Sequence, residues 1–121
     1  FKQINETLGH DGGDQVLRQV AKVLRQVAPA GALVARIGGE EFAIVTAADA
    51  PLDPDRLLTK LRSARMPFDV VVTASVGTCA GPLENEVDWK RLYRSADRAL
   101  FAAKAGGRDR VRTAPTLALA A

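Results

Sequence analysis

The chain has 121 residues, 47% apolar and 26% charged, with a net charge of +3. That is one domain's length, enough for a hydrophobic core but not for two, and the balance excludes a disordered or fibrous chain. No run approaches the ~20 apolar residues that span a bilayer; a single cysteine, Cys79, excludes an internal disulfide framework and suits a reducing cytoplasm.

Phe1, Ile4 and Leu8 are spaced for one face of a short helix that ends at Gly9. A loop, His10-Asp11-Gly12-Gly13, leads into a second helix. Its apolar stripe is Val16, Leu17, Val20, Ala21, Val23, Leu24 and Val27, and Pro29 and Gly31 stop it. Leu33–Ile37 and Phe42–Thr46 read as strands. Asp53-Pro54 predicts an N-cap followed by proline at the first helical position, with Leu57, Leu58, Leu61 and Ala64 facing inward. Val70 to Cys79 alternates with period two and predicts a strand. From Trp89 a long helix turns Leu92, Tyr93, Ala96, Leu100 and Ala103 inward, so Trp89 and Tyr93 are expected in the core; Gly106-Gly107 ends it. Arg110–Arg112 predicts a last short strand. From Thr113 the chain has no periodicity and reads as frayed, with residues 114–121 a flexible tail after a domain of residues 1–113. The order predicts an α/β fold with a mixed central sheet flanked by helices. A helix at the start of such a unit usually follows a strand, which predicts one immediately upstream of Phe1.

The stretch Arg36-Ile37-Gly38-Gly39-Glu40-Glu41-Phe42 lies between two apolar runs. Paired glycines signal a hairpin whose primed turn needs φ > 0 at both central positions. Bare backbone amides let an anion approach closely, and an adjacent carboxylate can hold a hard cation such as Mg²⁺. These seven residues alone are compatible with that role or with a solvated turn. His10 is read as a loop-to-helix hydrogen-bonding residue.

Five blocks in order resemble the GGDEF family of diguanylate cyclase domains. They are Phe1 to Asn5, Gly9 to Asp14, Arg36 to Phe42, Thr73 to Gly77, and Ala96-Asp97 with Ala103 to Arg108. The resemblance implies a nucleotidyl-cyclase, palm-like fold and a cytoplasmic bacterial signalling enzyme. Two such domains, each holding one GTP, would meet as a homodimer and condense the nucleotides into cyclic di-GMP and two pyrophosphates with Mg²⁺ (or Mn²⁺). Residue by residue, it implies that Glu40 ligates the metal and that Glu41 assists near the attacking hydroxyl. Asn5 and Asp14 would read guanine, where an amide and a carboxylate suit the N1–H and N2–H₂ donors. Gly38 and Gly39 would lie against the nucleotide; Phe1, Lys2, Lys104 and Arg108 would hold its phosphates. Asp14 and Lys104 also suit the helix-dipole positions they occupy.

Two departures qualify the resemblance. In the family the upstream strand carries an aspartate, another principal metal ligand, at a position before Phe1. The chain as given therefore reads as an N-terminally truncated GGDEF domain, expected to bind nucleotide with severely reduced catalysis. The family's Arg-x-x-Asp inhibitory site falls on Pro29-Ala30-Gly31-Ala32, which carries neither charge, so product inhibition is expected only at the active site. An upstream sensory or receiver domain is implied. The alternative is a GGDEF-like module that binds GTP or cyclic di-GMP without turnover. A nucleic-acid-binding domain is disfavoured, because four Phe, one Trp and one Tyr make no stacking surface.

Overall fold

Val16, Val20, Val23, Leu24 and Val27 are buried at helical spacing. In the computed structural model, which describes residues 2–118 with side chains from residue 4 onward, they line one face of helix α1 (Lys2–Val27). Gly9, at φ 75° and ψ 175°, kinks α1 where the sequence predicts a helix end. Residues 10–13, expected as a loop, are helical. The reason lies in packing: a β-carbon on Gly12 would sit 2.6 Å from Leu8 Cβ and 3.5 Å from the Phe68 ring. Glycine's helix penalty of about 1 kcal/mol is outweighed where its lack of a side chain permits so close a contact.

Strands β1 (Leu33–Gly38) and β2 (Glu41–Val45) pair antiparallel, from Leu33 opposite Val45 to Arg36 opposite Phe42. The next pair is Gly38 with Glu41, so Ile37 is an extra residue on β1. The turn therefore centres on Gly39-Glu40 rather than on the two glycines. Only Gly39, at φ 44°, takes a positive φ, correcting the expectation that both glycines would.

Helix α2 (Pro54–Ser63) starts as its sequence predicts. Asp53 Oδ1 accepts from the amides of Asp55 (3.0 Å) and Arg56 (3.3 Å), with Pro54 in the first turn. Leu57, Leu58 and Leu61 pack α2 against α1, and a 3₁₀ turn at Pro67–Asp69 also packs on α1. Burying each leucine contributes roughly 1.5–3 kcal/mol before entropy costs.

The chain divides into two compact units, one through Val72 and one from Thr73. In the second, β3 (Val76–Thr78) and β4 (Val111–Thr113) run parallel, and both pack on helix α3 (Glu86–Ala105). Gly77 makes that packing possible, because a β-carbon there would overlap the Ala96 carbonyl and the Leu100 amide. Asn85 caps α3, accepting from Asp88 N–H at 2.9 Å, while the half-turned-back Asp88 carboxylate accepts from Glu84 N–H at 2.9 Å. That reciprocal cap starts the helix three residues before Trp89.

Two expectations change from Val70 onward. Residues 70–75 lie outside any ladder, because β4 begins only opposite Val76 and alternation specifies faces, not partners. The described strands thus form two two-stranded sheets within the α/β fold. Trp89 and Tyr93 are 37% and 40% exposed, their ring centroids 5.9 Å apart, rather than core. After β4 the chain stays beside its neighbour: Ala114 N–H donates to Thr78 O and Leu117 N–H to Ala80 O, both at 2.8 Å, and Arg91 donates to Ala118 O at 3.3 Å.

Candidate functional site

The kinked α1 and the β1–β2 hairpin belong to the same unit and enclose an open cleft of about 680 Å³. From α1 come Asn5, Glu6, His10, Asp14 and Leu17; from the hairpin come Arg36, Gly39 and Glu40. Asn5 and Asp14 are nine residues apart, so a straight helix would not align them by turns; the Gly9 kink lies between. Glu40 reaches the cleft from the hairpin turn, where it follows Gly39.

Arg36 braces this turn. Its Nε donates to Gly39 O at 2.6 Å across the bulge. A guanidinium holding the turn's own carbonyl fixes the tip's path, and a β-carbon on Gly38 or Gly39 would meet nothing within 4 Å. Gly39 thus presents bare backbone to the cleft. An amide, carboxylates and accessible backbone on facing elements suit a planar ligand rich in N–H donors with an anionic group attached.

Of the residues singled out by sequence, Asn5, Asp14, Gly39 and Glu40 come together here. Glu41 opens β2, half-buried and off the cleft wall, and Gly38 is paired with it. Phe1 and the Lys2 side chain lie outside the described residues. Lys104 and Arg108 belong to the second unit. There Lys104 occupies the last turn of α3, and Arg108, at φ 63°, donates its amide to Ala103 O at 3.0 Å. Arg110 Nε donates to Arg108 O at 2.9 Å. These cations crown the negative end of the helix dipole, where an anion would otherwise be repelled.

Arg36, Glu6 and His10 are cleft residues that sequence reasoning did not assign. Arg36 was within reach, since it opens the hairpin block. Glu6 and His10 depended on the angle of the kink. Among the described residues no group of three His, Cys, Asp or Glu side chains is placed to surround a metal ion. No helix among them is long and apolar enough to cross a membrane.

A glycine-tipped hairpin whose carboxylate faces a helix-borne amide and carboxylate defines an α/β domain built around its Gly-Gly-Glu-Glu-Phe turn. The chain belongs to the GGDEF family: the family description "Diguanylate cyclase, GGDEF domain" matches residues 1–110. The response regulator PleD of Caulobacter vibrioides is 38% identical over 120 residues, covering 92% of this chain and 26% of that protein. Among solved structures, the diguanylate cyclase SiaD of Pseudomonas aeruginosa, in complex with its activator SiaC, superposes with TM-score 0.77. It is 34% identical over 93% of this chain and 45% of that one. The GGDEF domain of DgcB from Caulobacter crescentus, in complex with c-di-GMP, gives TM-score 0.68 and 31% identity, covering 93% of this chain and 70% of that one. The chain spans about a quarter of the length of the curated relatives it matches.

Proposed function

We propose that this domain is one half of a diguanylate cyclase active site, taking GTP and yielding cyclic di-GMP. The observation that supports this most is the gathering of Asn5, Asp14, Gly39 and Glu40, up to 35 positions apart in sequence, on one cleft. The Asp14 carboxylate accepts from the guanine N1–H and N2–H₂ groups, and the Asn5 amide pairs with the remaining edge. Leu17, in the same wall, gives the base an apolar backing. Gly39 lets the sugar-phosphate approach the backbone, and Arg36 keeps that backbone from moving away.

The chemistry is a phosphoryl-group displacement. The 3′-hydroxyl of one nucleotide attacks the α-phosphorus of the other; the new P–O bond forms as the bond to the β-phosphate oxygen breaks and pyrophosphate leaves. The same event in the opposite direction closes the ring. Two copies of the domain must face each other, each positioning one nucleotide. A divalent cation, Mg²⁺ or Mn²⁺, fits Glu40, because such ions take one or two protein carboxylates and complete their shell with phosphate oxygens and water. When bound it neutralises phosphate charge and favours the ionised hydroxyl. Glu41, one residue on, adds negative potential beside that site. Lys104 and Arg108, with the backbone at Phe1 and Lys2, are assigned to the β- and γ-phosphates.

Pro29-Ala30-Gly31-Ala32 offers no guanidinium or carboxylate to a dinucleotide, so inhibition by product is expected to compete with GTP at the cleft. A sensory or receiver segment outside this chain is the expected switch. The product assay decides the main reading. The natural full-length protein is given GTP and Mg²⁺, and dinucleotides are separated by chromatography. Cyclic di-GMP should form and fall by about 10³-fold in Glu40→Ala, the scale expected when one charge-stabilising group is removed. GTP binding without any product would instead make the domain a nucleotide sensor.

A further inference from the structure

A second hollow, of about 250 Å³, runs on from the cleft between α1 and the hairpin; Asp14, Leu17 and Arg36 line both. Its charged residues are Arg18, Arg25 and Arg36 against the single carboxylate of Asp14, over a floor that includes Val34 and Phe42. We propose that this arginine groove is a binding site for a phosphoryl anion, separate from the phosphate contacts assigned above.

Sequence position alone gives each arginine an ordinary role. Arg25 is in the last turn of α1, where a cation answers the helix dipole, and Arg18 is a solvated helix residue. Their arrangement goes beyond that. Arg18 and Arg25 are seven residues apart, two turns of one helix face, with Ala21 between them leaving the groove open. The hairpin brings Arg36 to the same hollow from the other side. Neither Arg18 nor Arg25 has an ion-pair or hydrogen-bond partner among the described residues. Arg36 spends its Nε on Gly39 O, which leaves its terminal amino groups for a further acceptor. Three guanidinium groups around one small hollow repel one another, and Asp14 offsets only one of them. An oxyanion with several acceptor oxygens removes that repulsion, and the planar fork of each guanidinium matches it. Val34 and Phe42 lower the local polarity, which strengthens the pairing.

The shared ligand chemistry is a phosphate oxyanion, and three sources carry it: inorganic pyrophosphate, the triphosphate of GTP and the phosphodiesters of cyclic di-GMP. The site does not rest on the cyclase reading, since pyrophosphate carries no base for Asn5 and Asp14 to recognise.

The test is calorimetric titration of pyrophosphate into the wild-type chain at low salt without metal, compared with R18Q/R25Q and with K104A/R108A. Glutamine is a good helix former and both arginines are exposed, so the helix should persist; the single variants R18Q and R25Q serve if the double variant unfolds. We expect each substitution to weaken pyrophosphate about tenfold, the worth of one hydrogen bond to a charged group. K104A/R108A should leave a pyrophosphate site that R18Q/R25Q removes. GTP and cyclic di-GMP titrations then identify the source as the ligand whose affinity falls by the same factor. Asp14→Asn separates the two readings: it should weaken the guanine ligands and leave pyrophosphate at least as tight. No pyrophosphate binding to the wild type, or binding unchanged in R18Q/R25Q, overturns the proposal.

Discussion

The two units of this chain solve the same packing problem in opposite ways. In the first, α1 and α2 meet through bulk: Val16, Val20, Leu24, Leu57, Leu58 and Leu61 fill the space between them, and Leu61 is 1% exposed. In the second, α3 meets β3 through the removal of bulk. Gly77 lies against the α3 backbone, and the buried helix residues there are Ala99 and Ala103 with the capping Asp88. The large side chains of α3, Trp89, Tyr93 and Phe101, stay substantially exposed. A core made of volume degrades gradually when a methylene is lost. A contact made by closeness has no such tolerance.

That contrast can be broken by adding a single carbon. Gly77→Ala should cost the second unit more than ~3 kcal/mol, because the methyl must displace helix backbone rather than a side chain. Trp89, the only tryptophan, lies on the same helix and reports the loss as a lower urea midpoint by fluorescence. A midpoint within error of wild type would mean that α3 slides freely on β3. Leu61→Ala should cost about 3 kcal/mol by leaving a cavity between α1 and α2, read from the helical circular-dichroism transition. Retained stability there would show that the first unit collapses around the gap. Asp88→Ala should cost about 1 kcal/mol by leaving the Glu84 N–H without its carboxylate acceptor, while the Asn85 half of the cap survives. An effect as large as that of Gly77→Ala would make the cap, rather than the close contact, the anchor of this unit.

Most of the first unit was legible because its signals are local. Asp53-Pro54 names its own cap, and the stripe from Val16 to Val27 names its buried face. The five blocks were legible for a different reason: residue identity at set spacing points to a family without any folding argument. What escaped the sequence depends on partners. Gly12 reads as a helix breaker until the Leu8 side chain is seen to need its space, and the Val70–Ser75 alternation reads as strand until β4 is seen to start opposite Val76. Trp89 and Tyr93 have core spacing but lean on each other at the surface. Asn5, Asp14, Gly39 and Glu40, which line the cleft, were legible as members of the family blocks. The bracing role of Arg36 was not, because a side-chain bond to a carbonyl three residues on is written in turn geometry and not in spacing.

The extra residue at Ile37 has one more consequence. Side chains on a strand keep time in steps of two, so Val34 and Arg36, with Phe42 opposite, all line the same hollow. A perfectly regular hairpin would carry that rhythm through to its tip and bind the orientation of Glu40 to that of Arg36. The insertion acts as a dropped beat. The strand body can be tuned to one surface of α1 and the tip to another, with the Arg36 bond to Gly39 O tying the two together.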